Sequence, residues 1–282
     1  MEGSYQGERH SPVIPSSSVR MPRLGWNRAA GERTVAEECP VALVYDGTTS
    51  AVLMATPADL TDLAFGFSQT EGIIHDPSEI RDLDVVAGPQ GVELRMWLKH
   101  ESGSLLKARR RRLVGPTGCG LCGIESLHDA NRMPPPVRRE ICLPAAQVAS
   151  AVDALTAAQN LNRETRSMHA AGFFMPDTGS IIVREDVGRH NALDKLAGAL
   201  ALATISGRMG VVVLTSRVSV EMVQKTAAMG AAIIVAISAP TALAIRMAER
   251  SGITLVGIAR GREFEIFSHS AGIALDADQA DK

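Results

Sequence analysis

"GVVVLTSRVSVEMVQKTAAMGAAIIVAIS", residues 210–238, holds two runs of consecutive Val, Ile and Leu with a helical stretch between them. A strand with one wet face alternates apolar and polar side chains, whereas an unbroken aliphatic run of this length reads as a strand covered on both faces. The rhythm extends in both directions. Upstream, "GFFM" (172–175) and "SIIVRED" (180–186) read as paired strands and "HNALDKLAGALALA" (190–203) as a helix. Downstream, "TALAIRMAERSG" (241–252) reads as a helix closed by Gly252, and "ITLVGIA" (253–259) and "EFEIFS" (263–268) as two further strands.

The order β-β-α-β-α-β-α-β predicts an α/β domain over residues 141–270, a mostly parallel sheet with helices on both faces. This layout resembles the cytidine-deaminase-like arrangement more than a doubly wound dinucleotide fold. No GxGxxG follows a predicted strand and no GxxxxGK[ST] occurs, so the Rossmann and P-loop readings lose their main support.

Residues 34–106 read as a smaller α+β portion. "CPVALVYDGTTSAVLMAT" (39–56) offers two β-rich runs across an Asp46-Gly47 turn, a hairpin signal. Thr56 followed by Pro57 predicts an N-cap and first helical residue for a helix ending near Gly72. "GVELRMWLK" (91–99) alternates as a half-buried strand does. Residues 1–33, rich in Ser, Pro, Gly and Arg without a hydrophobic period, read as a mobile arm, and residues 271–282 as a tail. Between the two folded parts, residues 107–140 form a basic loop region: "KARRRR" (107–112), "TGCGLCGIES" (117–126) and "MPPPVRRE" (133–140).

Bulk properties restrict the function. A chain of 282 residues that is 45% hydrophobic builds a real core, and a formal net charge of -2 gives no electrostatic reason to bind nucleic acid or an anionic membrane. No stretch approaches the ~20 apolar residues of a membrane span and the first residues lack a secretory apolar core, so a cytoplasmic location is expected. Four cysteines are too few for a disulfide framework in a chain this long, and in a reducing compartment Cys119 and Cys122 point to catalysis or metal binding.

Structural zinc requires four ligands, and no second CxxC or HxxxH spacing supplies them. A zinc deaminase needs an acid two residues after its histidine. Ala171 stands at that place after His169, and the CxxC precedes this histidine instead of following it. Thioredoxin-like chemistry lacks its βαβ setting. A reactive thiol has a positive case: lowering a thiol pKa from ~8.5 to ~7 makes half of it thiolate at neutral pH. Arg109, Arg110, Arg111 and Arg112 supply that bias, and Gly118, Gly120 and Gly123 leave the sulfurs uncrowded.

With "CGLCG" in the middle, "HAAGFF" (169–174) beyond it, then "EDVGRHNALDK" (185–195), "SVEMVQK" (219–225), "SAPTALA" (238–244) and "GITLVGIARG" (252–261), the sequence resembles the formate dehydrogenase accessory sulfurtransferase family, FdhD, over residues 37–269. One departure is "TSRVS" (215–219), which lacks a glycine of the more usual form. The resemblance implies a sulfurtransferase that carries a cysteine persulfide. A cysteine desulfurase would load Cys119, with Cys122 as assistant or second acceptor. The sulfur would go to the molybdenum or tungsten of the Mo-bis(molybdopterin guanine dinucleotide) cofactor, bound as cargo, for formate dehydrogenase. It also implies a homodimer, and a cofactor site at Ile258, Ala259, Arg260, Gly261, Arg262 and Glu263. Cys39 and Cys142 match no family motif and read as packed or incidental.

The residues themselves fit that site. Arg260 and Arg262 lie just past a predicted strand, where open sheets bind ligands, and "SAPT" (238–241) opens a helix whose N–H groups can receive a phosphate. For Asp186, Arg189, His190 and Asn191, capping and salt-bridge roles stand beside ligand contact, and His169 reads as a core or a pocket histidine. Two rival readings remain at this point, a non-catalytic cofactor-binding chaperone and a zinc-stabilised binding module.

Overall fold

The computed structural model describes residues 13–99, 132–134 and 136–275. It opens with β1 (Ser18–Leu24) and β2 (Ala30–Ala36), an antiparallel hairpin. The mobile arm expected over 1–33 is corrected here to a hairpin for its described part, while residues 1–12 lie outside the described residues. The turn is closed by local polar contacts: Gly25 N–H donates to the Ala29 carbonyl at 2.9 Å and Ala29 N–H to the Asn27 side chain at 3.2 Å. A ladder exposed on both faces leaves no hydrophobic period to read.

β3 (Cys39–Tyr45) and β4 (Thr48–Ala55) form the expected hairpin, with Asp46 at φ 48° and Gly47 at φ 75° as the two left-handed residues of its turn. α1 (Leu60–Thr70), β5 (Ile80–Gly88) and β6 (Gly91–Leu98) complete a four-stranded sheet of order β4-β3-β6-β5. Val41, Leu43, Leu94 and Met96 pack on Leu60 and Leu63 of α1. The expected helix start is corrected: α1 begins at Leu60, after Asp59 at φ 51°, and Thr56 caps nothing. Thr56 is held by long-range bonds instead. Its N–H donates to Asp186, its hydroxyl accepts from Val187 N–H and its carbonyl accepts from Lys195.

The second part comprises β7 (Leu143–Pro144), α2 (Ala145–Ala158), α3 (Asn160–Thr165), β8 (His169–Met175), β9 (Ser180–Asp186) and α4 (Arg189–Leu202). These are followed by β10 (Val211–Leu214), α5 (Val220–Ala228), β11 (Ile233–Ala236), α6 (Ala242–Ser251), β12 (Thr254–Arg260), β13 (Glu263–Ser268) and β14 (Ile273–Ala274). The predicted α/β layering holds. Val211, Val213, Ile233 and Val235 face α2, and Val212, Leu214 and Ile234 face α4 and α5. β14 pairs with β7, so the chain through Ala274 belongs to the folded unit.

The sheet has the order β13-β12-β11-β10-β8-β9 and is mixed, a correction to "mostly parallel". Only β10–β11 and β11–β12 pair in parallel, while β8–β9, β8–β10 and β12–β13 are antiparallel. The connections explain it: β8–β9 and β12–β13 are joined by tight turns, which force antiparallel neighbours, and the parallel pairs are those joined through helices.

The two parts meet where α1 crosses α4. A Cβ on Gly66 would stand 1.7 Å from the Asp194 carbonyl oxygen, and one on Gly198 1.9 Å from that of Asp62, so the backbones touch. Charges buried beside this crossing are paired. Lys195 Nζ lies 2.6 Å from Asp186, both side chains fully buried, and Lys225 Nζ lies 2.9 Å from both Asp194 and Glu71. Burial alone disfavours the Lys225 ammonium, but the Asp194 and Glu71 carboxylates outweigh it and hold the group protonated above the ordinary lysine range.

Gly198→Ala is expected to cost about 3 kcal/mol, because the added methyl meets backbone on the facing helix. Lys195→Met, which strands a buried Asp186 carboxylate, is expected to cost about 3–5 kcal/mol. Both are read from denaturant unfolding of the full chain.

Candidate functional site

β10, β11 and β12 all end on one edge of the sheet, and antiparallel β8 begins and β9 ends there too. The loops beyond them are bonded to one another. Val218 N–H donates to the Ala239 carbonyl, Thr241 N–H to that of Val218, and Ile258 N–H to that of Ser238. Thr215 ties the β10 loop to β8: its hydroxyl accepts from Ala170 N–H at 2.9 Å. α4, α5 and α6 therefore present their N-termini along this edge.

The ends differ in how their backbone donors are satisfied. The Thr241 hydroxyl caps α6 by accepting from Ala244 N–H, whereas α4 starts after Gly188 and α5 after Ser219 without a side-chain cap. Ser219 turns its hydroxyl to Glu221 at 2.6 Å, and His190 Nε2 approaches the same carboxylate at 3.6 Å. The Glu221 carboxyl is held down to about 2, chiefly by His190 and then by Ser219. At 3.6 Å the ring stands past hydrogen-bond reach of the carboxylate. His169 pairs with Asp186 across β8 and β9, and it is half-buried. Desolvation, aided by the Arg189 guanidinium, pulls its pKa below the usual histidine value and leaves it neutral at neutral pH.

Residues 258–263 occupy the end of β12 and the turn into β13. Ile258 at φ 55° sits at a bulge, Ala259 is buried, and Gly261 at φ 58° makes the turn possible. Arg260, Arg262 and Glu263 are exposed, and Arg260 pairs in register with Glu263. The Ile258–Ser238 bond joins this turn to residues 238–241, so two of the segments singled out in the sequence lie side by side.

Cys119 and Cys122 lie outside the described residues. The chain is last described before them at Lys99, after β6, and resumes at Arg132, whose carbonyl accepts from Gln224 of α5 at 2.8 Å. Cys39 is buried and Cys142 exposed, with its Sγ 3.6 Å from the Ala271 carbonyl. Among the described residues no group of His, Cys, Asp and Glu is arranged to hold a metal ion. No residue of 215–219 has a positive φ, so the missing glycine of "TSRVS" imposes no backbone strain.

Asp186 and Asn191 are structural. Asp186 bonds Lys195, Thr56 N–H, Gly188 N–H and Asn191, which also donates to the Met54 carbonyl. Arg189 and His190 are half-buried at the edge. Sequence reasoning missed Thr215 and the Ser219–Glu221–His190 cluster. The i, i+2 spacing of Ser219 and Glu221 at a helix start was a signal for their contact, but His190 lies far away in the chain.

Glu221→Gln is expected to lower stability by about 2 kcal/mol at pH 7. A carboxyl depressed in the fold contributes above its unfolded pKa, so the gap between wild type and variant should close as pH falls from about 4.5 through about 2. Melting temperatures of the two proteins across that range check this.

Residues 36–274 match the model of the FdhD/NarQ family. The sulfur carrier protein FdhD of Agrobacterium fabrum is 55% identical over 248 residues, 88% of this chain and 92% of the relative. That of Cupriavidus necator is 47% identical over 97% of this chain and 95% of the relative. Among solved structures, a formate dehydrogenase accessory protein from Desulfotalea psychrophila superposes with a TM-score of 0.70 at 26% identity, covering 91% of this chain and 98% of that one. A family model and relatives that cover most of the chain agree, and the chain belongs to the FdhD/NarQ family.

Proposed function

We propose that this protein is a sulfur carrier, a sulfurtransferase in the maturation of formate dehydrogenase. Cys119 takes persulfide sulfur from a cysteine desulfurase, assisted by Cys122. The protein then passes the sulfur to the metal of the Mo-bis(molybdopterin guanine dinucleotide) cofactor, which it binds as cargo. Relatives 55% and 47% identical over most of the chain carry the name sulfur carrier protein, which supports the carrier role.

The observation that carries the reading is the strand edge. Five strands from β12 to β9 end or begin there, and at ~4.8 Å per strand this edge is about 20 Å long, a length suited to an elongated dinucleotide-type cargo. It carries the uncapped starts of α4 and α5 together with Arg189, Arg217, Arg260 and Arg262. Helix N-termini and guanidinium groups both favour phosphate. Two of its carboxylates are engaged by their own neighbours: Glu221 by Ser219 and His190, and Asp186 by Lys195.

Loading is thiol–persulfide exchange. The Cys119 thiolate attacks the terminal sulfur of the desulfurase persulfide, a new S–S bond forms, the old one breaks, and the desulfurase cysteine leaves as thiolate.

Intact-protein mass spectrometry after incubation with a cysteine desulfurase and cysteine should show a thiol-sensitive gain of one sulfur in wild type and none in Cys119→Ala. A wild type without the gain, beside a competent desulfurase, would turn the reading to a cofactor chaperone. Arg260→Ala or Arg262→Ala should weaken binding of guanosine diphosphate, a fragment of the cargo's end, about 5–10-fold by calorimetry, the size of one charge-assisted contact.

A further inference from the structure

Side chains of a strand alternate between the two faces of its sheet, and β12 breaks that alternation just before Arg260. Leu255 packs in the core shared with α4, α5 and α6, and Val256 in the core on the α2 side. Continued alternation would carry Ile258 and Arg260 to the α2 side with Val256. Instead Ala259 is the residue buried there, so the phase has slipped by one and Arg260 comes out on the side of α4, α5 and α6. β13 gives an independent check. Phe264 and Ile266 pack on the α2 side, which leaves Glu263 and Glu265 on the other, and the register pairs Gly257 with Glu265 and Arg260 with Glu263. Between those pairs Ile258 and Ala259 stand opposite Phe264 alone, which is a β-bulge.

The slip has a conformational cost. Ile258, the first residue of the bulge, is left-handed at φ 55°. Glycine is the rule at a left-handed bulge position, and a β-branched side chain there is strained. The surroundings impose the conformation. Ile258 N–H donates to the Ser238 carbonyl at 3.3 Å. A Cβ on Gly257 would stand 2.9 Å from Pro240 Cδ and 3.3 Å from the Ser238 oxygen, so β12 lies against the segment that leads into α6. Strain of this kind persists where neighbouring structure over-determines it, and it gathers at functional sites.

The two sides of the sheet are electrostatically unlike at this edge. α4, α5 and α6 begin there, with the positive ends of their dipoles. α2 runs the opposite way: Gln147, near its start, donates to the carbonyl of Pro176 in the β8–β9 turn, at the far end of the sheet. The end of α2 turned to the edge is therefore its carboxyl end, which disfavours an anion.

We propose that Ile258 is a positioning residue for the cargo site. Its strained backbone creates the bulge, and the bulge carries the Arg260 guanidinium from the α2 side to the side of the helix starts, where a phosphate is attracted by both. The proposal rests on the reading of this edge as the cargo site. Ile258 acts through Arg260, and Glu263, on the same face, is the carboxylate that competes with phosphate for it.

Calorimetry of guanosine diphosphate binding to the full chain tests this. Ile258→Pro cannot take a left-handed φ and should weaken binding about 5–10-fold, as Arg260→Ala does. The double variant Ile258→Pro/Arg260→Ala should bind within about twofold of either single one, because both remove the same contact. Ile258→Gly, free to stay left-handed, should bind within about twofold of wild type. Glu263→Gln leaves the bulge alone and should tighten binding about 2–5-fold, a readout of the face that holds even if Ile258→Pro does not fold. Four results in a wild type that binds would each overturn the proposal and spare the cargo reading. These are Ile258→Pro binding like wild type, losses that multiply to about 25–100-fold in the double variant, Ile258→Gly losing as much as Ile258→Pro, and Glu263→Gln without effect. A wild type that does not bind the nucleotide overturns both.

Discussion

The close crossing of α1 over α4 is the constraint on which the rest of the molecule depends. Gly66 and Gly198 let the helix backbones touch, and that contact turns two sheets with separate cores into one body. It also creates a dry seam in which isolated charges would be prohibitively costly. The seam is lined instead by pairs and bonds: Lys195 with Asp186 and the Thr56 carbonyl, and Lys225 with Asp194, Glu71 and Thr70. Lys195 reaches across to the Thr56 carbonyl and Lys225 to Glu71 and Thr70, so each lysine ties the second part to the first where hydrophobic packing alone would allow the helices to slide.

These ties bear on the strand edge. Asp186 ends β9 and accepts from Gly188 N–H immediately before α4, so the group that locks the seam also sets where α4 begins. Thr56 bonds Val187 N–H from the other side. The start of α4, with Arg189 and His190, is thereby fixed relative to the loops after β10 and β11, which are bonded to each other through Val218, Ala239 and Thr241. A site that depends on several helix starts and arginines along one edge needs this rigidity, because fields from helix ends fade within about one turn.

Legibility varied with the range of the interaction. The strands of the second part were readable because complete burial of a short segment demands consecutive aliphatics, as in Val211–Leu214 and Ile233–Ala236. The Asp46-Gly47 turn was readable because left-handed backbone restricts residue type. Thr56 misled because a Thr-Pro pair is a sound local cap signal, and the competing bonds come from Asp186, Val187 and Lys195, about 130 residues away in sequence. The β1–β2 hairpin was missed because an arm outside the core has no buried face to impose a pattern.

By itself the sequence determined the α/β class and the alternation of strands and helices after residue 165, and it put forward the pair Cys119 and Cys122 and the segment 258–263 as candidates. All of these are local requirements, of burial, of turn geometry or of chemical type, and local requirements are written in adjacent residues. Tertiary structure alone decided that the sheet is mixed, that Asp186 and Asn191 serve the fold, and that His190, Ser219 and Glu221 share one cluster. It also decided that Gly66 and Gly198 are contact points between helices. Those facts depend on which distant segments meet, and the free energy that selects the meeting comes from the sum of packing over the whole chain rather than from any stretch within it.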